Sequence, residues 1–363
     1  VVANGRLAEE TDLAGGRRLT RWVTDAPLPT KVMVVGVARF AVRHPGRVDD
    51  VPLSTWVYPQ DRETGFEVFD DPTPAVLDFY DARIGPYAYE KLANIQAHSL
   101  GGGMESASAI FYGEESATGA RPVRWRNVII HEIAHQWWGN AVTESDWDDV
   151  WLSEGFATYF TLLFREHAYG RDDFVEGLLE SRERVLAFDA EYPDYRIVHD
   201  DLADMGRVTT GQTYQKGAWV LHMLRGLLGD EEFWQGIAGY YARYQNANAT
   251  TDDFRREMEE ASGRRLGWFF EQWLTRGSHP VVSGTWEIVD GAVELRLRQE
   301  RPGEPFRLPM TVALRTASGE ERREPVVLEG ATGTFRLDVD GEVAEVVLDP
   351  DHWVLMRAEV RRR

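Results

Sequence analysis

The chain has 363 residues, too many for one ordinary core, and with 43% hydrophobic and 12% aromatic residues it is not a disordered chain. Acidic residues number 60 and basic residues 40, a formal charge of −20 that disfavours nucleic acid as a partner, because a phosphate backbone would be repelled. There is no cysteine, so disulfides and thiolate chemistry are excluded and any metal must sit on His, Asp or Glu.

No apolar run is long enough to span a membrane. The chain opens on Val1 without a basic-then-apolar leader, which reads as a processed form or a piece of a longer chain. Lysine occurs only at Lys31, Lys91 and Lys216. A GC-rich genome accounts for that most simply; adaptation to high salt is the sharper alternative.

Residues 1–58 read as strands, with Arg17–Val23, Lys31–Val42 and Val51–Val57 as the segments. Ala75–Ile84 then takes helical spacing. Ile95–Ile110 reads as a strand entered through a Gly-rich loop. Helical patterns follow over Pro122–Asn140, Asp148–Tyr169, Asp173–Ala187, Gln212–Leu228, Glu231–Tyr244, Thr251–Ala261 and Leu266–Leu274. After His279-Pro280 the period changes again. Val281–Arg298, Arg307–Arg315, Glu324–Leu328, Thr334–Leu337 and Val343–Leu348 alternate like the strands of a small β-sandwich. The terminal Arg361-Arg362-Arg363 reads as a frayed, solvated end.

His131-Glu132-Ile133-Ala134-His135 lies inside a helical pattern. Residues four apart on a helix are offset by about 40° in projection and share a face. Two imidazoles placed so can reach one zinc ion. Glu132 sits one residue round, where a carboxylate can take a proton from a water beside the metal. Glu154 follows His135 after eighteen residues and falls in the next helical run. His, His and Glu leave a fourth position open, which is the pattern of a catalytic rather than a structural zinc. The plain alternative is a pair of histidines on an amphipathic helix; Glu132 and Glu154 in register weigh against it.

The run His131–His135, then Gln136-Trp137-Trp138-Gly139-Asn140, then Trp151-Leu152-Ser153-Glu154-Gly155-Phe156-Ala157, resembles the aminopeptidase N and leukotriene hydrolase family of gluzincin metallopeptidases. Gly102-Gly103-Met104-Glu105-Ser106 is similar to that family's exopeptidase motif, and Tyr214-Gln215-Lys216-Gly217-Ala218 to the segment carrying its transition-state tyrosine. The similarity runs on through Phe270-Glu271-Gln272-Trp273 to Pro280. Ser106 and Ser153 stand where the family has Asn.

The resemblance implies an α+β multidomain fold. A remnant of an N-terminal β-saddle domain would occupy 1–58, a mainly α-helical, thermolysin-like zinc domain 59–280, and a β-sandwich 281–363. It implies one Zn²⁺ per chain and removal of N-terminal residues from peptides with a free N-terminus. Glu132 would be the general base and Tyr214 the oxyanion donor. Glu105 would bind the α-amine, with Gly102, Gly103 and Met104 beside the substrate backbone. Asp149 would orient a liganding histidine, or else cap the following helix. A thermolysin-like endopeptidase and a non-catalytic peptide binder remain alternatives. Compartment and oligomeric state are not legible.

Overall fold

The computed structural model describes residues 1–98, 100–300, 303–339 and 341–363. The first strands are β1 (Val2–Ala3), the ribbon of β2 (Arg6–Leu13) and β3 (Arg17–Val23), and β4 (Val35–Gly36), which pairs with β1. Then come β5 (Ala41–Val48), β6 (Val51–Val57), α1 (Arg62–Asp70), α2 (Pro72–Ile84), β7 (Leu92–Ala97), β8 (Gly103–Met104) and β9 (Ala109–Gly113). β5, β6, β7, β9 and β8 form one five-stranded sheet in that order, with β6, β7 and β9 parallel. The division expected at residue 58 therefore cuts through a single sheet.

The single strand expected over Lys31–Val42 is broken up: only β4 and the first residues of β5 fall in it. Pro29 leads into a 3₁₀ turn, Thr30–Val32. Val32 is buried against Tyr89 and Ala107, while Val35 and Val37 remain exposed. The apolar run packs at Val32, Val34 and Phe40 against two different clusters instead of alternating along one strand. α1 went unread because Gly65 and four charged residues dilute its pattern. In the stretch 95–110, where one strand was expected, β7 ends, β8 forms and β9 begins; position 99 lies outside the described residues.

The helices come next: α3 (Pro122–Ala134), strand β10 (Val142–Glu144), α4 (Trp151–Tyr169), α5 (Arg171–Glu191), the short α6 (Met205–Val208), a π-helical turn over Gln212–Lys216, α7 (Gly217–Leu228), α8 (Asp230–Tyr244), strand β11 (Ala247–Ala249), α9 (Thr251–Ser262) and α10 (Gly267–Leu274). α4 is the core of this layer: Trp151, Phe156, Ala157, Tyr159 and Phe160 are fully buried on it. α9 opens with a capping box made by Thr250 and Asp253. No helix among the described residues is long and apolar enough to cross a membrane.

The remaining strands are β12 (Val281–Val289), β13 (Ala292–Gln299), β14 (Leu308–Thr316), β15 (Glu321–Leu328), β16 (Thr332–Asp338), β17 (Val343–Leu348) and β18 (Arg357–Arg362). They make a four-stranded sheet, β16-β13-β12-β18, and a three-stranded one, β15-β14-β17. The expected single run from 281 to 298 is split at the Asp290-Gly291 turn, where both residues take positive φ. The terminal arginines are not frayed. β18 pairs in parallel with β12, the Arg362 guanidinium lies 5.1 Å from the Trp286 ring centroid, and Arg363 donates its backbone N–H to the Trp286 carbonyl. Backbone pairing and cation–π contact replace the apolar alternation that the sequence lacks.

Lys91 ties the first strands to the sheet. Its buried Nζ donates to the carbonyls of Ala3 (2.9 Å) and Ser108 (3.0 Å) and to the Ser108 hydroxyl (3.2 Å). Burial pushes this ammonium down to about 7 from an ordinary 10.5. Between those values the unfolded chain binds the extra proton, so this group makes the fold more stable as pH rises through that window. Lys91→Met is expected to cost about 1–3 kcal/mol by removing the buried donor that the Ala3 and Ser108 carbonyls share and to remove that slope. Denaturant midpoints measured from pH 7 to 10 check both outcomes.

Candidate metal and peptide-binding site

α3 stops at Ala134, with His135 as its cap, not at Asn140. The next residues make a wider turn: the N–H groups of Asn140, Ala141 and Val142 reach back five residues to His135, Gln136 and Trp137. This turn reverses the chain toward α4, and Glu154 in the first turn of α4 arrives beside the histidines. His131 Nε2 and His135 Nε2 are 3.0 Å apart, and Glu154 Oε2 lies 3.3 and 3.1 Å from them. Tetrahedral zinc with bonds of 2.0–2.1 Å holds its ligands about 3.3 Å apart, so the triangle has the size of one face of that tetrahedron. Glu154 Oε2 is buried and accepts no hydrogen bond among the described residues, which leaves it for a cation.

The ring of His135 is set for ligation. Its Nδ1 faces the Trp138 carbonyl at 3.0 Å and the Ser153 hydroxyl at 3.2 Å. A carbonyl only accepts, so Nδ1 carries a proton and Nε2 is the nitrogen that faces the triangle. Burial alone would lower His135, but Glu154, Glu105 and Glu132 outweigh it and carry the ring up to about 10. Burial opposes ionisation of Glu154 as well, yet the two imidazoles hold it below its ordinary value. Carboxylate and imidazole donors thus converge on one buried point, the kind of site that favours a divalent cation. Burial holds His131 below its ordinary value, in the neutral form that ligates.

Glu132 and Glu105 form a second group with His135, their ligand-type atoms all within 4.8 Å of one another. Burial pushes the Glu132 carboxyl well above its ordinary value, as suits a proton carrier. Gly103 on β8 is what admits it, because a Cβ there would fall inside the Glu132 carboxylate. Gly102 and Met104 flank it on the same short edge, and the Gly102 carbonyl accepts from the Gly113 N–H at 2.8 Å.

Two residues that the motif reading passed over fix Glu105. Gln136 Nε2 and Asn140 Nδ2 both donate to the Glu105 carbonyl, at 2.9 and 2.7 Å. Gln136 Oε1 accepts from the Ser108 N–H at 2.9 Å. One buried amide thus spans the turn from 105 to 108 and ties it to the metal helix. The signal was present, since both lie within five residues after His135, but spacing alone does not tell a clamp from a solvated turn.

Tyr214 is brought in by a close helix contact. A Cβ at Gly155 would lie 2.9 Å from the Gly217 backbone, so only two glycines let α4 pass this near to the π-helical turn. The Tyr214 ring lies 6.1 Å from that of His131 and nearly parallel to it. Burial, then Glu154, Glu105 and Glu132, push its hydroxyl above the ordinary range, so it stays protonated and able to donate. The turn is gripped at its start: Gln212 Nε2 donates to Asp189 at 3.0 Å, and the other Asp189 oxygen meets His279 Nδ1 at 2.7 Å, all three side chains buried.

For Asp149 the expectation was an orienting acid or a helix cap, and the structure shows its carboxylate bonded to Thr251. Its Oδ1 accepts from the Thr251 N–H at 3.0 Å and from the Thr251 hydroxyl. It holds the start of α9, while the Trp138 carbonyl and Ser153 take the place beside His135. Asp149 sits in the 3₁₀ turn Trp147–Asp149, ahead of α4. Gly155→Val is expected to destabilise the chain by about 1–3 kcal/mol through this overpacking, with a matching fall in thermal midpoint; an unchanged midpoint would mean that the helices separate freely.

Comparison with known proteins follows the same lines. The model of the peptidase family M1 domain matches residues 71–273, more than half of the chain. The chain is similar to glutamyl aminopeptidase of Mus musculus, with 30% identity over 351 residues, 92% of this chain and 37% of that protein. It is similar to probable aminopeptidase 2 of Sulfurisphaera tokodaii, with 27% identity over 313 residues, 83% of this chain and 39% of that protein. Among solved structures, Legionella pneumophila aminopeptidase A in complex with aspartic acid shares the fold at a TM-score of 0.81 and 19% identity, covering 99% of this chain and 43% of that one. The chain thus spans about two fifths of the length of these relatives. With the family match extending from α2 into α10 and taking in every residue of the donor triangle, the chain belongs to peptidase family M1.

Proposed function

We propose that this chain carries the active site of a zinc-dependent aminopeptidase that removes N-terminal residues from peptides. The observation that carries the reading is the donor triangle of His131, His135 and Glu154, with the Glu132 and Glu105 carboxylates beside it. The names of its relatives support the same class of reaction. One Zn²⁺ held on the triangle supplies the Lewis acid that polarises a carbonyl and makes a water acidic.

The chain's own residues do the rest. Glu105 pairs with the α-ammonium of the peptide and fixes its first residue. Gly102, Gly103 and Met104 leave an open strand edge along which substrate backbone can lie. Glu132 takes a proton from the attacking water and gives it to the departing amine. The Tyr214 hydroxyl donates to the oxyanion that develops on the scissile carbonyl. Asp149 acts here only through the start of α9. In domain terms, the chemistry belongs to the segment proposed at 59–280, with 1–58 behind the Glu105 turn and 281–363 as the sandwich.

Glu132→Gln is expected to keep one zinc per chain and to lower turnover of alanyl 4-nitroanilide by about 10²–10⁴-fold. Glu154→Ala is expected to lose the zinc, read by elemental analysis, and turnover with it. Tyr214→Phe is expected to lower kcat by about 10²–10³-fold at similar zinc content. N-acetylated peptides should resist cleavage. Full activity of the Glu132→Gln or Glu154→Ala variant would refute the reading, and rapid cleavage of acetylated peptides would favour an endopeptidase.

A further inference from the structure

A groove of about 550 Å³ opens between α3, α4, α5 and the π-helical turn, and its wall at the metal end is His131 and Tyr214. Glu105 is not part of that wall; it groups with Glu132 and His135 instead. A peptide whose amine is held at Glu105 and whose first carbonyl reaches the triangle therefore continues past His131 and Tyr214 into the groove.

The groove is basic in an acidic chain. Arg124, Arg165 and Arg184 line it, with Glu180 the one carboxylate among the lining residues. Arg165 is 8% exposed and held by Asp173 through Nε and Nη2. Its Nη1 fits only because Gly177 has no side chain, since a Cβ there would overlap that nitrogen. Arg124 spends one Nη on the Gly101 carbonyl, and Arg184 makes no ion pair among the described residues. The Ser181 hydroxyl, on a residue 6% exposed, lines the groove and has no hydrogen-bond partner among the described residues. Three guanidinium groups against a single carboxylate along one groove suit it to an anionic group.

We infer that this groove binds the part of a peptide beyond the scissile bond and selects anionic groups there, either acidic side chains or a nearby C-terminal carboxylate. The inference rests on the peptidase reading above and adds the class of substrate. Arg124 and Arg184 supply the long-range attraction, while Arg165, held by Asp173, is the fixed guanidinium of the groove.

Two measurements test it. With the zinc-loaded chain, kcat/KM is compared for Ala-Glu-Glu, Ala-Gln-Gln and Ala-Lys-Lys, which share a first residue, and for alanyl 4-nitroanilide, which has no second one. The acidic peptide should lead the neutral one by about tenfold, with the basic one last. The lead should shrink with added salt and collapse in the R124Q/R184Q double variant, whose changes are both on exposed residues. Calorimetry on the Glu132→Gln protein should give the same order of affinity without hydrolysis. Amidated forms of the peptides separate side-chain from terminal carboxylates. Equal kcat/KM and equal affinity for the acidic and neutral peptides would overturn the inference, as would a preference that survives R124Q/R184Q. Absence of nitroanilide hydrolysis would instead remove the peptidase reading, and the calorimetric order would still decide the groove.

Discussion

Glu154 is a carboxylate placed between two imidazoles in a pocket from which water is largely excluded, and most of the fold can be traced to holding it there. A buried charge needs partners at short range or it neutralises. Those partners sit on another helix, so α3 must end abruptly, the chain must reverse within a few residues, and α4 must begin with Glu154 in its first turn. The wide turn after His135 does the reversing, and the buried face of α4 holds the result in place. The geometry of the donor triangle is thus a property of two helix termini and the packing behind them, not of any loop that could adjust.

The same helix end serves a second purpose. Gln136 and Asn140 are spent on the backbone of the Glu105 turn, while Lys91 and Asn4 reach that turn from the opposite side: Asn4 Nδ2 donates to the Ala107 carbonyl, and Lys91 to Ser108. Two segments distant in sequence, near residues 4 and 140, meet on one short stretch. The separation of the proposed amine site from the donor triangle is consequently fixed by hydrogen bonds on both faces.

How much of this was legible in the sequence depends on the kind of signal. The α+β class, the long helices and the strand-rich last third follow from periodicity, and the candidate metal donors from residue types at helical spacing. What spacing could not give is where a helix stops. Pro122–Asn140 looks uniformly helical, yet hydrogen bonds made by Gln136 and Asn140 side chains to another segment favour a turn there. Asp149 could be read as an orienting acid or as a cap because both need a carboxylate before a helix; only the position of Thr251 decides between them. The π-helical turn at Tyr214 and the parallel pairing of β18 have no periodic signature at all, since each is imposed by its neighbours.

That π-helical turn has a consequence for how sequences of this kind can vary. A π turn is a rare arrangement that its own residues do not favour; this one is secured from outside by Gln212, Asp189 and His279, on the turn, on α5 and just ahead of β12. Each of the three satisfies a buried group on another. A drift at one position that would be harmless on the surface leaves an unpaired donor or acceptor in the interior, and it can be fixed only by a compensating change at a residue far along the chain. Positions 189, 212 and 279 should therefore change together in related sequences or not at all, a coupling set by hydrogen-bond bookkeeping at a turn that no single one of them would build.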